Sequence, residues 1–204
     1  NNCKKVLFAG RVSKPSLRTI KLDFKGAYYL PKIVKTFKLG DAAILKQVIK
    51  ILKIEKIETV SSNKFTPELS LSKGNYTKLR PNKNDFMDID CAIKALKRSG
   101  NFSHVQGAIS RNNKVLDTES VRGTKRMLER VKKSLKILNG VLVKFPKKKQ
   151  DPRIDLPTIG LETLKQCYKA GLKGIVLKHK LNIFLNQKKS IQFANKNKMF
   201  IVVK

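Results

Sequence analysis

The sequence predicts an α/β fold, in which a partial parallel-sheet amino-terminal domain is followed by a mixed α/β domain. Short apolar runs with the length of buried strands alternate along the chain with segments whose apolar residues recur at helical spacing. A strand, a helix and a second strand follow one another near the amino terminus, an order that is typical of a parallel layer. The chain has 204 residues and 41% hydrophobic content, enough to bury a core.

The amino-terminal domain is predicted to occupy residues 1–62. Residues 6–9 form a short apolar run before a glycine, as expected of a buried strand. Asp41 is a suitable N-cap for a helix, and the apolar residues that follow it have helical spacing with lysines on the opposite face. A second strand is predicted at 57–60 because this run is again short and apolar.

Residues 63–84 are rich in Ser, Asn, Lys and Pro, which predicts a linker, and residues 85–204 are predicted to form the second domain. This domain opens with a helix that holds Ile89 and Ile93 on one face. The elements that follow alternate between strands and helices without an internal repeat. They are strand 105–109, a turn at Asn112 and Asn113, strand 115–121, helix 127–138, strand 140–145, helix 161–170, strands 174–177 and 182–185, helix 190–197 and strand 200–203.

The formal net charge of +32 favours an anionic partner. Nucleic acid is one alternative, because lysine and arginine displace counterions from phosphates. However, the 46 basic residues comprise 37 lysines and 9 arginines spread over every segment, and the only triple run, 147–149, has no interleaved aromatic residue for base stacking. We therefore expect no specific nucleic-acid partner, and we expect attraction to anionic lipid headgroups and nucleotide diphosphates instead.

Several other classes of protein receive no support from the sequence. No run approaches the roughly 18 apolar residues that a membrane span requires, and no signal peptide is recognisable, so we expect a cytoplasmic location. Cys3, Cys91 and Cys167 lack the paired spacing of a zinc site or a redox dithiol and are expected to be free thiols in the core. No nucleophile triad or phosphate-binding Gly-Lys-Ser/Thr loop can be recognised.

Residues 150–160 are the segment in which chemistry is most expected. Each of its two prolines disfavours helix in the residue before it, which predicts an extended loop. In extended chain, Asp151, Arg153 and Asp155 share one face. The two aspartates would then lie roughly 13 Å apart, too far to chelate one ion, so separate roles are predicted unless the loop bends. A structural salt bridge is the alternative interpretation.

Cations and amides around this segment could bind phosphate. Arg153 can bind a phosphate bidentately, and Lys144 and Lys147 can neutralise further negative charge. Gly160 precedes a predicted helix whose first amides suit an anion. The segment thus offers the residues of a phosphate-and-metal site in which the two aspartates have separate roles, and on spacing alone the structural salt bridge stays the alternative.

The chain also resembles a known family, the LpxI-type UDP-2,3-diacylglucosamine pyrophosphatases of bacterial lipid A synthesis. The similarity covers nearly the whole chain in long, gapless motifs. In the second domain it is carried by residues 140–144, Pro146, Lys147, 150–160, Thr163, 170–172, Gly174 and Ile175. In the first domain it is carried by residues 9–12, Pro15, Gly40, Asp41 and Leu45.

The resemblance implies that the second domain is catalytic and hydrolyses the pyrophosphate bond of UDP-2,3-diacylglucosamine to UMP and 2,3-diacylglucosamine 1-phosphate (lipid X). It implies Mg²⁺ or another divalent metal as cofactor, and peripheral association with the inner membrane. Asp151 and Asp155 are the residues we expect to be catalytic and to ligate the metal. The residues expected to bind the substrate are Arg153, Lys144, Lys147, Thr158, Gly160 and Thr124.

The chain departs from the family pattern in several places, including His104-Val105-Gln106-Gly107 and His179-Lys180. The family's Glu-Gly-Thr-Asp is Arg122-Gly123-Thr124-Lys125 here, so that two acids are replaced by bases. Cations at these positions are expected to weaken metal binding. A catalytically inactive, glycolipid-binding relative is therefore an alternative to an active enzyme. The family's first strands and glycine-rich turn do not precede Asn1, so we expect the amino-terminal domain to be incomplete.

Overall fold

The computed structural model describes residues 3–10, 21–39, 41–99, 105–132, 137–146, 151 and 153–204, with the side chains of residues 41 and 42 excepted. The chain divides into two compact units. Unit 1 consists of Asn1–Phe65 and Asp151–Asp155, and unit 2 consists of Thr66–Gln150 and Leu156–Lys204. The division falls within the predicted linker. It also divides the segment predicted to carry the chemistry, 150–160, because only Asp151–Asp155 of that segment belongs to unit 1.

Unit 1 contains two short parallel strands and two helices. Strands β1 (Lys5–Leu7) and β2 (Glu58–Val60) pair in parallel, with Val6 opposite Thr59. Helix α2 (Asp41–Ile54) connects to β2, as the apolar spacing predicted. Helix α1 (Phe24–Val34) was not predicted.

Helix α1 is stabilised locally at its start and by a contact with the end of α2. The carboxylate of Asp23 accepts a hydrogen bond from the amide of Gly26 at 2.7 Å, which satisfies one of the amides that a helix leaves unpaired. The hydroxyl of Tyr29 donates to Glu55 at 2.8 Å, and Lys25 forms an ion pair with the same carboxylate. These contacts hold α1 against the residue that follows α2.

Unit 2 is built on a six-stranded mixed sheet with the strand order β3-β10-β8-β6-β4-β5. Strands β6, β8 and β10 run parallel, whereas β3, β4 and β5 are antiparallel to their neighbours. The strands are β3 (Gly74–Asn75), β4 (Gly107–Arg111), β5 (Lys114–Thr118), β6 (Val141–Lys144), β8 (Gly174–Leu177) and β10 (Phe200–Val203). A separate parallel pair is formed by β7 (Thr158–Ile159) and β9 (Ile183–Phe184).

Helices cover both faces of this sheet. The helices are α3 (Lys83–Arg98), α4 (Gly123–Arg130), α5 (Leu161–Lys169) and α6 (Gln187–Lys196). Leu142, Ile175 and Ile201 contribute to an apolar cluster that includes residues of α4, α5 and α6. The alternate strand residues pack with α3 in a second cluster. Strands buried on both faces are expected to be apolar throughout, which explains their continuous apolar runs.

Two local features fix the ends of these elements. Asn112 and Asn113, both with positive φ, form the two-residue turn between β4 and β5, as predicted. Helix α3 begins with a capping box, in which Asn82 accepts from the amide of Asp85 and Asp85 accepts from the amide of Asn82. The α/β prediction with a parallel amino-terminal pair and a mixed second domain is thus confirmed.

Candidate functional site

The carboxyl ends of the parallel strands of unit 2 meet at one edge of the sheet. Lys144 at the end of β6 lies opposite Leu177 of β8, and Leu177 lies opposite Val203 of β10. Because β4 is antiparallel to β6, its first residue, Gly107, lies at the same edge. Ligands of α/β proteins bind preferentially at this edge of a sheet. The polar side chains at this edge are therefore the first candidates for a functional site in unit 2.

A buried polar cluster lies at this edge and consists of Glu119, Thr124 and Lys144. The ammonium of Lys144 donates to both carboxylate oxygens of Glu119, at 3.1 and 3.2 Å, and lies 2.5 Å from the hydroxyl of Thr124. The Thr124 hydroxyl donates to Glu119 at 2.6 Å. The side chains of Lys144 and Glu119 are 6% and 7% exposed. The cluster is a nearly water-free ion pair that joins β6 to the start of α4.

Asn182 braces the same edge through its side chain. Its Nδ2 donates to the carbonyls of Lys144, at 3.0 Å, and Pro157, at 3.3 Å, while its Oδ1 accepts from the amide of Lys178 at 2.8 Å. Asn182 is 3% exposed. One buried amide thus ties together the residues that follow β8, the end of β6 and the residue before β7.

Asp151, Arg153 and Asp155 lie in unit 1, and they form a turn rather than the predicted extended segment. The amides of Ile154 and Asp155 donate to the carbonyl of Asp151, at 3.2 and 3.4 Å. The amide of Arg153 donates to the Asp151 carboxylate at 3.0 Å. The prediction of extended geometry was wrong because an aspartate can accept hydrogen bonds from the amides that follow it and so stabilise a turn.

The guanidinium of Arg153 is bound to Asp151. Its Nε lies 2.9 and 3.2 Å from the two carboxylate oxygens, and its Nη2 lies 2.6 Å from one of them. This pairing, chiefly through the side-chain hydrogen bonds, lowers the pKa of Asp151 below its ordinary value. The salt bridge that the sequence left as an alternative is therefore present. A bidentate pair holds the carboxylate ionised and the guanidinium in a fixed direction.

The other predicted site residues lie in unit 2 or outside the described residues. Thr158 is exposed in β7, and its hydroxyl donates to the carbonyl of Leu156 at 3.3 Å. Gly160 is the N-cap of α5, so the predicted helix start is confirmed. A Cβ on Gly160 would lie 3.2 Å from the carbonyl oxygen of Leu185. Lys147 lies outside the described residues.

Arg122 and Lys125, which we expect to stand where the family has acids, lie at the start of α4. Arg122 is its N-cap residue, and Lys125 lies in its first turn. Arg122 lines an open depression with other residues of α4, whereas Lys125 lines a groove between α4 and α5. Thr124, between them, contacts Glu119 and Lys144.

A preassembled metal centre does not fit the donor groups of the described residues. No three His, Cys, Asp or Glu side chains in this part of the chain form a group that could hold an ion. Arg153 engages both oxygens of Asp151, one of the two predicted ligands. Metal binding at Asp151 would thus first require loss of this ion pair.

Glu119 and Asn182 were not predicted as site residues. Glu119 lies within the strand predicted at 115–121, and an acid inside a predicted strand, in a chain with only 14 acidic residues, is a signal that could have identified it. Asn182 carries no comparable signal, because two of its three partners, Lys144 and Pro157, are distant in sequence. Burial of both side chains becomes evident only from the register of the sheet.

Unit 2 is thus an α/β domain with a buried polar cluster at the carboxyl ends of its parallel strands. The particular family follows from comparison with known proteins. The LpxI C-terminal domain model matches residues 72–202, and the LpxI N-terminal domain model matches residues 1–69. The chain belongs to the LpxI family.

One relative is the UDP-2,3-diacylglucosamine pyrophosphatase LpxI of Caulobacter vibrioides. The two sequences are 34% identical over 181 residues, which represent 85% of this chain and 65% of the relative. The chain thus spans a little under two thirds of the length of the curated relative that it matches.

Proposed function

We propose that this chain carries the catalytic residues of a UDP-2,3-diacylglucosamine pyrophosphatase, and that the products are UMP and lipid X. The observation that carries the proposal is the match of both LpxI domain models along the chain, together with the named relative. The chemistry is hydrolytic. A water oxygen bonds to one phosphorus, the bridging oxygen retains the electrons of the bond that breaks, and the water's proton passes to solvent or a base.

In the proposed mechanism, the pair formed by Asp151 and Arg153 is the resting state of the catalytic turn. A diphosphate carries more charge than one carboxylate and accepts bidentate hydrogen bonds, so it competes with Asp151 for the guanidinium of Arg153. The released carboxylate then orients the attacking water. Asp155 is the second proposed catalytic carboxylate.

The buried cluster of Glu119, Thr124 and Lys144 is not assigned a catalytic step in this proposal. Lys144 and Thr124 were predicted to bind substrate, but both are engaged with Glu119 at the strand-end edge. Direct contact of either residue with substrate stays a prediction. Gly160 offers the first amides of α5 to an anion, and Thr158 is exposed close to it in sequence.

A requirement for magnesium stays a prediction as well. Mg²⁺ commonly binds through one or two carboxylates with substrate phosphates and water, which the aspartates of the turn could satisfy once Arg153 is released. No step is assigned to the ion here. We also propose peripheral association with the cytoplasmic face of the inner membrane, where a diacylated substrate resides. No helix of the described residues is long and apolar enough to cross a membrane.

The test is release of UMP from UDP-2,3-diacylglucosamine by the full-length natural protein that contains this chain, dispersed in detergent with magnesium or with EDTA. UMP release that EDTA abolishes would support hydrolysis and the metal requirement. UMP release unaffected by EDTA would support hydrolysis alone. Salt-resistant, structure-selective RNA binding without UMP release would overturn the proposal in favour of a nucleic-acid-binding protein.

An inactive, glycolipid-binding relative is the second candidate, and the replacement of two family acids by Arg122 and Lys125 favours it. Binding of the intact substrate without UMP release is its signature. The double reversion Arg122→Glu with Lys125→Asp distinguishes the two, because it restores the family's charges. A gain of UMP release on reversion would identify the natural protein as inactivated at these positions. Equal release before and after would place both residues outside the reaction.

A further inference from the structure

We propose that the exposed face of α4 is a docking surface for a bilayer that carries anionic phospholipid headgroups. Its defining residues are Arg122, Arg126 and Arg130, here called the arginine stripe, which follow one another at four-residue spacing. Residues at this spacing lie on one face of a helix. Only 9 of the 46 basic residues are arginines, and three of these lie within nine consecutive residues. The lysine-rich composition of the chain therefore does not account for the stripe.

Helix α4 is amphipathic, with one apolar face and one face that carries the arginine stripe. Met127 and Leu128 are buried in the core of unit 2, with 0% and 2% exposure. All three arginines of the stripe are exposed. They line an open surface depression of about 560 Å³ together with Glu129. The buried face fixes the helix, so the guanidinium groups are presented to the outside on a rigid element.

The carboxylates near the stripe do not prevent it from binding phosphate. Arg126 pairs with Glu129 at 2.9 Å, and Arg130 pairs with Asp117 at 2.7 Å. The arginine side chains are 67% and 45% exposed. Ion pairs with this exposure contribute little stability, so exchange of a carboxylate for a lipid phosphate has a small cost. Arginine binds phosphate bidentately and is weakly hydrated, which suits a headgroup interface.

A bilayer fits this surface better than RNA does. Val121, directly before the stripe, is 82% exposed, and an exposed apolar side chain beside cations is typical of surfaces that lie in a membrane interface. The described residues of α4 include no aromatic side chain on which a base could stack. The biological role of this docking rests on the proposed function, because docking would bring the protein to the bilayer in which a diacylated substrate is dissolved.

The experiment measures partition of the full-length protein onto vesicles of phosphatidylglycerol and phosphatidylethanolamine, with vesicles of phosphatidylcholine as reference. The variant is Arg122→Gln, Arg126→Gln and Arg130→Gln combined. Each cation near an anionic surface strengthens binding about fivefold, so we expect the triple variant to bind roughly 100-fold more weakly. The matched control removes three exposed lysines from α6, Lys188→Gln, Lys189→Gln and Lys196→Gln, and is expected to change partition by less than about threefold.

Equal losses in both triple variants, or no preference of the natural protein for anionic vesicles, would overturn the proposal. RNA binding is measured for the same variants. If the arginine variant lost RNA binding but retained vesicle binding, the proposal would also be overturned. Circular dichroism establishes that α4 is intact, and the single variant Arg122→Gln, with an expected loss of about fivefold, serves if the triple variant does not fold. Partition is measured without substrate and hydrolysis in detergent without vesicles, so failure of docking and failure of the proposed reaction give separate results.

Discussion

The two units bury apolar surface to very different extents. In unit 2, the central strands β6 and β8 are buried at every residue. In unit 1, β1 has no fully buried residue and β2 has two. Large apolar side chains of unit 1 are also exposed, including Phe24 at 98% and Leu39 at 67%. A pair of short strands rarely stabilises itself, so stability is expected to reside in unit 2. The predicted catalytic turn is thus placed on the less buried unit.

Matched leucine substitutions provide the largest expected contrast between the units. Leu142→Ala removes a side chain with 0% exposure from the core of unit 2 and is expected to lower the free energy of unfolding by about 2–5 kcal/mol. Leu7→Ala acts on a side chain that is 37% exposed and is expected to cost less than about 1.5 kcal/mol. Urea denaturation measures both. Similar losses in the two variants would contradict the contrast.

The two ion pairs sharpen the same comparison. Lys144→Gln leaves Glu119 buried without its cation and is expected to cost about 3–5 kcal/mol. Arg153→Gln breaks a pair whose side chains are 47% and 18% exposed, and should cost no more than about 1 kcal/mol. Thermal or urea denaturation measures the costs. A larger loss for the Arg153 variant would mean that the turn is a structural element.

Gly174 tests how closely the sheet of unit 2 is packed. A Cβ at this position would lie 2.2 Å from the ring of Phe200, in the strand next to it. Gly174→Ala is therefore expected to destabilise the protein by about 1–3 kcal/mol through overpacking. The double variant Gly174→Ala with Phe200→Leu is the control, since a smaller side chain should restore part of the loss. Unchanged stability of Gly174→Ala would contradict the close packing of the Phe200 ring against Gly174.

Sequence patterns predicted the elements of unit 2 better than the site. Strands β8 and β10 were predicted with their observed limits because a lysine stands next to each apolar run. Lys173 precedes β8, and Lys204 follows β10. Strands β3 and β7 have two residues each, too few to establish a periodicity. Helix α1 was missed because Gly26 and Pro31 weaken its helical propensity. Local propensity thus predicts the longer strands of the sheet and does not predict very short strands or a helix that contains Gly and Pro.

The site depends on contacts that no local pattern reports. Glu119 and Lys144 are 25 residues apart and meet only because β4 lies between β5 and β6. The turn at Asp151 was predicted as extended because proline preferences were weighed without the hydrogen bonds that the Asp151 side chain accepts. Sequence spacing could not identify the partner of Glu119, whereas the pair of Asp151 with Arg153 was one of the interpretations that spacing offered.

The smallest expected effect is on the titration of Asp151. Arg153 lowers its pKa in the folded protein, so its contribution to stability is present above the unfolded pKa of about 3.9 and is lost as the pH falls through the folded pKa. Arg153→Gln should move the midpoint upward, and NMR titration of the Asp151 side-chain carbon measures it. An unchanged midpoint would contradict the pairing. The stability difference between the two proteins should be largest above about pH 6 and should disappear at low pH, where Asp151 is protonated in both.

The most direct test of the account is to measure UMP release and unfolding free energy together for Asp151→Asn, with Asp117→Asn as a matched control. Asp117 is also an aspartate paired to a partly exposed arginine, Arg130, at 2.7 Å. If this turn is the catalytic centre, Asp151→Asn loses at least about 100-fold in UMP release with a stability change within about 1 kcal/mol. The control should retain turnover. Wild-type UMP release by the Asp151→Asn protein would contradict the claim that this turn is the catalytic centre.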